Sequence, residues 1–554
     1  MHRHLTIVSL FMVACATTPQ PSPPSRTAGL IRITVVGTND VHGWVMAQSE
    51  KFPQGEIRFG GVAAFAAYLK VLREENPDGL VLLDGGDLFQ GTLMSNITEG
   101  SVVIDAYNRL GYDAAAIGNH EFDYGPVGPV SAVQTGMDAF GALKMRIAQA
   151  NFPLLSTNIY DAATGVRPPW LPGDGTVLIE RQGLKIGIIG LTTPQTPTTT
   201  LPINVASLKF KSLGYEAITA ANRLRAKGAD LVFAVVHAGG KCSDCSHHND
   251  LSSCDTDSGE IFELMRDVPE GTLDAIVAGH THGQMAHMVK GTPIIESWAH
   301  GRYFGRIELF IDPTTKRVVP GKTELQTAIE ICETVDEATG SCEVKKLQAR
   351  APEVHPVQAR FKGRLIEPDP DMLAELEPTE RRVSELQHRE LGLRVPQTLG
   401  RNYENESALG NFLTDSIRAM YRADVALINP GGIRADLRQG KLTYGDVYEV
   451  FPFDNSVATL ELTGAQLQLL LNAAYGSRKG VFQVSGLAVT LSRCPSPSRL
   501  QTVTLPNGKP IDSAGRYRVV MPDFLARGGD GLAPVLATID PERVDLGVNR
   551  GSNL

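Results

Sequence analysis

The hexapeptide Gly118-Asn119-His120-Glu121-Phe122-Asp123 brings an amide oxygen, an imidazole and two carboxylates together. Those groups ligate divalent metals and move protons. The apolar run Ala114-Ala115-Ala116-Ile117 stands directly before it. Four further stretches share this build. Thr38-Asn39-Asp40-Val41-His42-Gly43 follows the branched run Ile31, Ile33, Val35, Val36, and Asp84-Gly85-Gly86-Asp87 follows Gly79 to Leu83. His237 closes Asp230-Leu231-Val232-Phe233-Ala234-Val235-Val236, and Gly279-His280-Thr281-His282-Gly283 closes Asp274-Ala275-Ile276-Val277-Ala278.

The elements that must position these residues follow from the apolar runs. Each run reads as a buried strand, so each cluster emerges at a strand's carboxyl end, where α/β folds place their active sites. Phe65 to Glu75 and Ser101 to Leu110 read as the helices between them. Asp40 and His42 stand two residues apart at a strand terminus, and the glycines of Asp84-Gly85-Gly86-Asp87 let the backbone approach closely. A single histidine in such a place is an ordinary surface residue. Five coinciding strand ends point to one shared site.

In this order and at these intervals the five motifs resemble those of the calcineurin-like metallophosphoesterases, specifically the 5′-nucleotidase family. The resemblance implies an α/β fold in which two β-sheets lie between helices, a four-layer αββα sandwich, followed by a smaller α/β domain that binds substrate. It further implies two divalent metals, zinc, manganese or cobalt. Asp40, His42 and His282 would hold one, Asn119, His237 and His280 the other, and Asp87 would bridge them. A shared carboxylate can hold two ions about 3.5 to 4 Å apart, and such a pair turns water into a hydroxide nucleophile near neutral pH. Asn119 would also steady a phosphoryl oxygen. His120, oriented by Asp123, would stabilise the transition state and assist the leaving alkoxide.

The composition shifts from Arg350 to Leu393, where charges are dense and Pro352, Pro356, Pro368, Pro370 and Pro378 recur. Asp371 to Arg389 reads as a linker helix or as a helix of one core. Beyond it, Asp424 to Ile428 reads as a strand that delivers Asn429-Pro430-Gly431-Gly432-Ile433-Arg434, a glycine-backed arginine suited to gripping an anion. Together with Phe451-Pro452-Phe453-Asp454-Asn455 and the Asp523 to Gly531 stretch, this part resembles the family's C-terminal domain, so the likeness runs from about residue 30 to 554. It implies that Phe453 and Phe524 sandwich a nucleobase, that Asp530 accepts from ribose hydroxyls, and that Asn429 and Arg434 hold the end facing the metals. The family usually places a further arginine shortly before the Glu406-Ser407-Ala408-Leu409-Gly410-Asn411 helix start, and Arg401 stands near that position without fixing the register. Family members generally continue past the position of Leu554 into a last helix. The expected organisation is a signal and tether over 1–28, a catalytic domain over 29–349, a linker over 350–391 and a nucleotide-binding domain over 392–554.

The chain has 554 residues, too many for one core, and a formal net charge of -9. That charge argues against nucleic-acid polymers and polybasic membrane binding. His2-Arg3-His4 and the apolar Leu5 to Ala14 resemble an export signal, and Met12-Val13-Ala14-Cys15 resembles a bacterial lipoprotein processing site with Met12 in the usual leucine place. Lipidated Cys15 and the proline-rich tether behind it would hold the protein at a membrane, in the periplasm or on the cell surface. Six other cysteines suit an oxidising compartment. A Cys332–Cys342 disulfide is expected, with a second inside the Cys242, Cys245, Cys254 trio rather than a zinc knot. The third of that trio would be free or reach Cys494.

The expected activity is removal of phosphate from nucleoside monophosphates. Rival readings are a UDP-sugar hydrolase, a 2′,3′-cyclic-nucleotide phosphodiesterase with 3′-nucleotidase activity, a thiosulfohydrolase, and a catalytically inactive surface binding protein. The Phe453 and Phe524 pair favours nucleotides over a small sulfur anion. The full ligand set with its acid-base pair argues against an inactive scaffold.

Overall fold

The computed structural model describes residues 29–547 apart from 129, 454, 477, 478 and 493–498. The export signal, the tether, Cys15, Asp454 and Cys494 lie outside the described residues. Apolar side chains on both faces of a strand require cover on both sides, and the first half of the chain provides it twice over. One six-stranded sheet runs in the order Glu324–Glu330, Tyr303–Ile311, Ile31–Thr38, Leu80–Asp84, Ala114–Ala116, Leu154–Leu155. The second runs Gln284–Val289, Thr292–Ser297, Ala275–Ala278, Leu231–His237, Leu184–Thr192, Thr176–Arg181. Their central strands are parallel, which aligns the carboxyl ends along one edge.

Alternation along each strand assigns the layers. Ile33, Val35, Val81 and Leu83 of the first sheet meet Ile186, Ile188, Phe233, Val235 and Val277 of the second in one dry core. On the opposite faces, Val36 and Leu82 pack under the helices Val62–Glu75 and Ser101–Leu110. Val232, Ala234 and Val236 pack under Leu213–Ala226 and Glu260–Asp267. The result is helix, sheet, sheet, helix.

The later part of the chain forms a five-stranded sheet in the order Gln483–Ser485, Val425–Ile428, Arg516–Pro522, Val457–Thr463, Val544–Asp545. Val425 and Leu427 face the helix Gly464–Gly476, while Ala426 and Ile428 face Ala408–Met420, whose Ser407 caps it by accepting from the Gly410 amide. Between the two parts runs the helix Pro370–Gln387, with Asp369 as its cap and Pro378 inside it. Its buried Met372, Leu376 and Val383 join the core beneath the first sheet's helices, and Arg109 ion-pairs with Asp371 at 2.9 Å. An apolar stripe on one face explains why this helix docks on the first domain instead of spanning free. It also touches the Tyr444–Val450 helix of the second.

Cys332 and Cys342 form a disulfide, as do Cys242 and Cys254, and Cys245 is a free thiol. Among the described residues no helix is long and apolar enough to cross a membrane.

Candidate metal centre

The carboxyl ends of both sheets meet at one point, and every ligand proposed from the sequence converges there. Asp40, His42 and His282 form one group of ligand atoms and Asp87, His237 and His280 another, each within 4.8 Å. Asp87 joins them: its Oδ2 lies 3.8 Å from His42 Nε2 and 3.1 Å from His237 Nε2. His42 and His282 approach to 2.9 Å between their Nε2 atoms, and His282 Nε2 lies 3.4 Å from Asp40 Oδ1. Asn119 presents Oδ1 to His237 Nε2 at 3.0 Å.

The tautomers are set from outside the cluster. His42 Nδ1 donates to the Gln90 carbonyl at 2.7 Å and His237 Nδ1 to the Gly85 carbonyl at 2.8 Å. Each ring therefore turns its Nε2 inward, where a cation would be ligated. Four imidazoles, two carboxylates and an amide oxygen form a donor set that fits two divalent ions of the zinc and manganese kind. Charge points the same way. Burial pushes the Asp40 carboxyl up to about 7, and at His237 burial is overcome by the Asp87 charge, which lifts the ring to about 10. Burial, then neighbouring positive charge, holds His42, His280 and His282 well below the usual imidazole range, which favours the neutral rings that ligation requires.

The backbone is bent to the same end. Asp40, His42, Asp87, His280 and His282 all have left-handed conformations, with φ of 50°, 49°, 58°, 79° and 49°. Such conformations cost about 1–2 kcal/mol per non-glycine residue and are retained where the surroundings fix them. Gly118 is required for close approach, because a Cβ there would sit 2.2 Å from Asp87 Oδ1.

His120 stands beside the ligand groups. Its Nδ1 meets Asp123 Oδ2 at 2.5 Å, its backbone amide donates to Asp87 Oδ1 at 2.9 Å, and its ring lies 5.3 Å from that of His42. Burial lowers this imidazole's pKa, but the Asp123 and Asp87 charges outweigh it and raise the net value.

Several residues that the motif spacing does not single out hold the loops together. Glu121 accepts three backbone amides, from Gly118 at 2.6 Å, Asp87 at 2.9 Å and Leu88 at 2.7 Å. Burial, then the neighbouring Asp87, pushes its carboxyl up to about 8. Glu296 accepts from the Thr281 hydroxyl at 2.6 Å and the Gly240 amide at 3.1 Å, pinning the loops after His237 and before His282. Asp84 takes bonds from Thr38, Tyr107 and the Gly86 amide. Glu121 and Asp84 lie inside the motifs, so their burial beside apolar runs is the signal that could have found them. Glu296 offers no such mark.

The second domain enters the same cleft. Arg434 donates from Nη2 to His42 Nε2 at 3.1 Å, and its guanidinium lies 5.8 Å from the Phe453 ring, which is 5.6 Å from the His120 ring. Burial, then the nearby Arg401 charge, presses Arg434 below the usual arginine range. Arg401 itself donates to the Ile433 carbonyl at 3.1 Å. Phe524 lies over Gly529, where a Cβ would come within 2.4 Å of the ring. Among the described residues Phe453 and Phe524 form no ring pair with each other. Asp530 has a left-handed backbone, φ 52°, and a side-chain hydrogen bond with Asn429.

Known proteins share both halves of this arrangement. The calcineurin-like phosphoesterase profile matches residues 33–284, and that of the 5′-nucleotidase C-terminal domain matches 388–538. A 5′-nucleotidase of Vibrio cholerae is 27% identical over 97% of this chain and 91% of its own length. The crystal structure of a 5′-nucleotidase precursor from Thermus thermophilus superposes with a TM-score of 0.71 at 26% identity, covering 92% of each chain. The sulfate thiohydrolase SoxB of Thermus thermophilus shares the fold at 16% identity, with a TM-score of 0.66 over 97% of this chain and 99% of its own. With a ligand-bearing edge shared by two sheets and a second domain reaching into it, the chain belongs to the 5′-nucleotidase family of calcineurin-like phosphoesterases and is a hydrolase of phosphoric esters.

Proposed function

We propose that this hydrolase is a 5′-nucleotidase that acts outside the cytoplasm on nucleoside monophosphates. The observation that carries this reading is Arg434, a buried cation of the second domain whose guanidinium meets His42 at 3.1 Å. A guanidinium that forms no ion pair with a carboxylate among the described residues, beside an aromatic ring and at the mouth of a metal-ligand cluster, suits a phosphate that carries a base. Phe453 and Phe524 would stack that base, Asp530 would accept from ribose, and Asn429 and Arg401 would support the grip. An inorganic sulfur anion offers nothing to two phenyl rings, which favours nucleotides over thiosulfonate substrates.

Asp40, His42 and His282 would hold one divalent ion, Asn119, His237 and His280 a second, with Asp87 between. When bound, such a pair supplies a hydroxide near neutral pH and positive charge for the phosphoryl oxygens. The chain's own work is orientation and proton handling. Asn119 directs its amide oxygen into the site because its Nδ2 donates to the Thr199 carbonyl at 3.2 Å. His120, charged against Asp123, stabilises the developing negative charge and donates its proton to the leaving oxygen. Arg434 fixes the phosphate from the opposite side. Release of nucleoside requires the second domain to withdraw, as expected of an interface that carries substrate. Two disulfides and the residues around Cys15 support an exported protein, lipid-anchored through that cysteine.

A hydrolysis panel tests the reading: AMP, 3′-AMP, cyclic 2′,3′-AMP, UDP-glucose and ADP, each with manganese, cobalt or zinc. Preferred release of phosphate from AMP supports it. A preference for UDP-glucose or the cyclic nucleotide replaces it.

A further inference from the structure

The stretch Thr192-Thr193-Pro194-Gln195-Thr196-Pro197-Thr198-Thr199-Thr200 supplies no proposed ligand and no acid-base group, yet it touches three parts of the site. Its own hydroxyls stiffen it. Thr193 donates to the Glu260 carboxylate at 2.8 Å, Thr196 to the Thr193 carbonyl at 2.7 Å, and Thr198 to the Gln195 carbonyl at 2.8 Å. At its far end the buried Thr200 hydroxyl donates to Asp123 Oδ1 at 2.5 Å, while Asp123 Oδ2 is engaged by His120. The Thr199 carbonyl takes the Asn119 amide. At its near end Gln195 Oε1 accepts from the Lys479 ammonium of the second domain. The Gly529–Gly531 turn, which carries Asp530, packs on the Thr196–Thr199 helix.

From this geometry we infer that the 193–200 segment couples docking of the second domain to alignment of the His120 and Asp123 pair. Thr200 is the positioning residue for Asp123, and Gln195 is the contact that registers the docked domain. The inference rests on reading His120 and Asp123 as the acid-base pair. A carboxylate bonded through only one oxygen can swing about its last torsion, and the imidazole bonded to it swings as well. The Thr200 hydroxyl removes that freedom. Because the same turn is clamped at both ends, a load applied at Gln195 is carried to Thr199 and Thr200 instead of being lost in a loose loop.

The test uses the full chain with saturating manganese, with AMP and p-nitrophenyl phosphate as substrates and His120→Ala as the reference. Thr200→Val is expected to lower kcat about tenfold on both substrates with KM little changed, the scale of one hydrogen bond to a charged group. Thr200→Ser is expected to restore it, at unchanged metal content and Tm. Gln195→Leu is expected to lower AMP turnover several-fold in the native chain and to do nothing further in a Lys479→Met background. Full kcat in Thr200→Val beside an impaired His120→Ala overturns the role of Thr200, and failure of Thr200→Ser to restore activity does the same. Equal losses from Gln195→Leu in both backgrounds overturn the coupling. Full kcat in His120→Ala refutes the acid-base pair itself, a separate outcome. If Thr200→Val does not fold, Thr200→Ala and the half-buried Gln195 carry the test.

Discussion

The two walls of the cleft are built by different rules. On the first domain's wall, five of the seven proposed ligands sit in left-handed backbone, and Glu121, Glu296 and Asp84 tie their loops together from beneath. On the second domain's wall, Arg434 has no carboxylate partner among the described residues, and Phe453 is half-buried with His120 as its ring neighbour. Metal chemistry needs ligand atoms held in place before anything binds, so strain is accepted and offset by buried acceptors. The substrate grip proposed for the second domain would have to release its product, and loosely bonded groups on a separate domain allow that.

The sharpest way to break this contrast is to remove the shared carboxylate. Asp87→Ala is expected to abolish hydrolysis and to lower metal content at both positions. Two metals per chain by elemental analysis, with near-normal turnover, refutes the bridging role. His120→Ala is expected to keep its metals while kcat falls roughly 10²- to 10⁴-fold, the scale of acid-base assistance. Metal loss in that variant would move His120 into the ligand set.

Changes on the other wall are expected to separate substrates instead of abolishing chemistry. Stacking is worth about 1–3 kcal/mol per base, so the double variant Phe453→Ala, Phe524→Ala should lower kcat/KM for AMP about a hundredfold. Hydrolysis of p-nitrophenyl phosphate should fall far less, and equal losses on both substrates would show that the rings serve the fold. The smallest expected effect concerns pH. Burial, partly offset by Lys479, raises the Asp530 carboxyl from 3.8 to about 6. Below about pH 6 it gains a proton and loses acceptor capacity, so KM for AMP should rise as pH falls through that value. In Asp530→Asn that rise should disappear, and its persistence would assign it to another group.

The same contrast explains what could be read from the sequence. Strand ends and their His, Asp and Asn residues were legible because burial on both faces writes continuous apolar runs, and the ligand types interrupt them abruptly. The Ser101–Leu110 helix was read to the residue, since its glycine caps and apolar spacing agree. Glu121 was less legible because its work is to accept backbone amides from its own motif and from the end of the Asp84–Asp87 motif, which no spacing records. Glu296 lies in a strand whose burial resembles that of its neighbours. The threonines from 192 to 200 belong to none of the motifs, and only their hydroxyl bonds give them a part in the site. The Pro370–Gln387 helix could be assigned to either domain from periodicity. Its place was decided by Met372, Leu376 and Val383 finding an apolar surface on the first.

One consequence follows from the way the two sheets share the centre. Asp40, Asp87 and Asn119 belong to the first sheet's edge, while His237, His280 and His282 belong to the second's. A cation held by both sets is a rivet between layers that otherwise adhere through their apolar faces and a few hydrogen bonds, such as those from Thr192 to the Ile117 carbonyl and from the Ser297 amide to Asn39. By mass action, free metal at about 100 times its dissociation constant adds about 2.7 kcal/mol to the folded state. The lifetime of this protein in the presence of proteases would then track the trace-metal content of its surroundings, and scarcity would reduce the amount of enzyme before it slowed any single turnover.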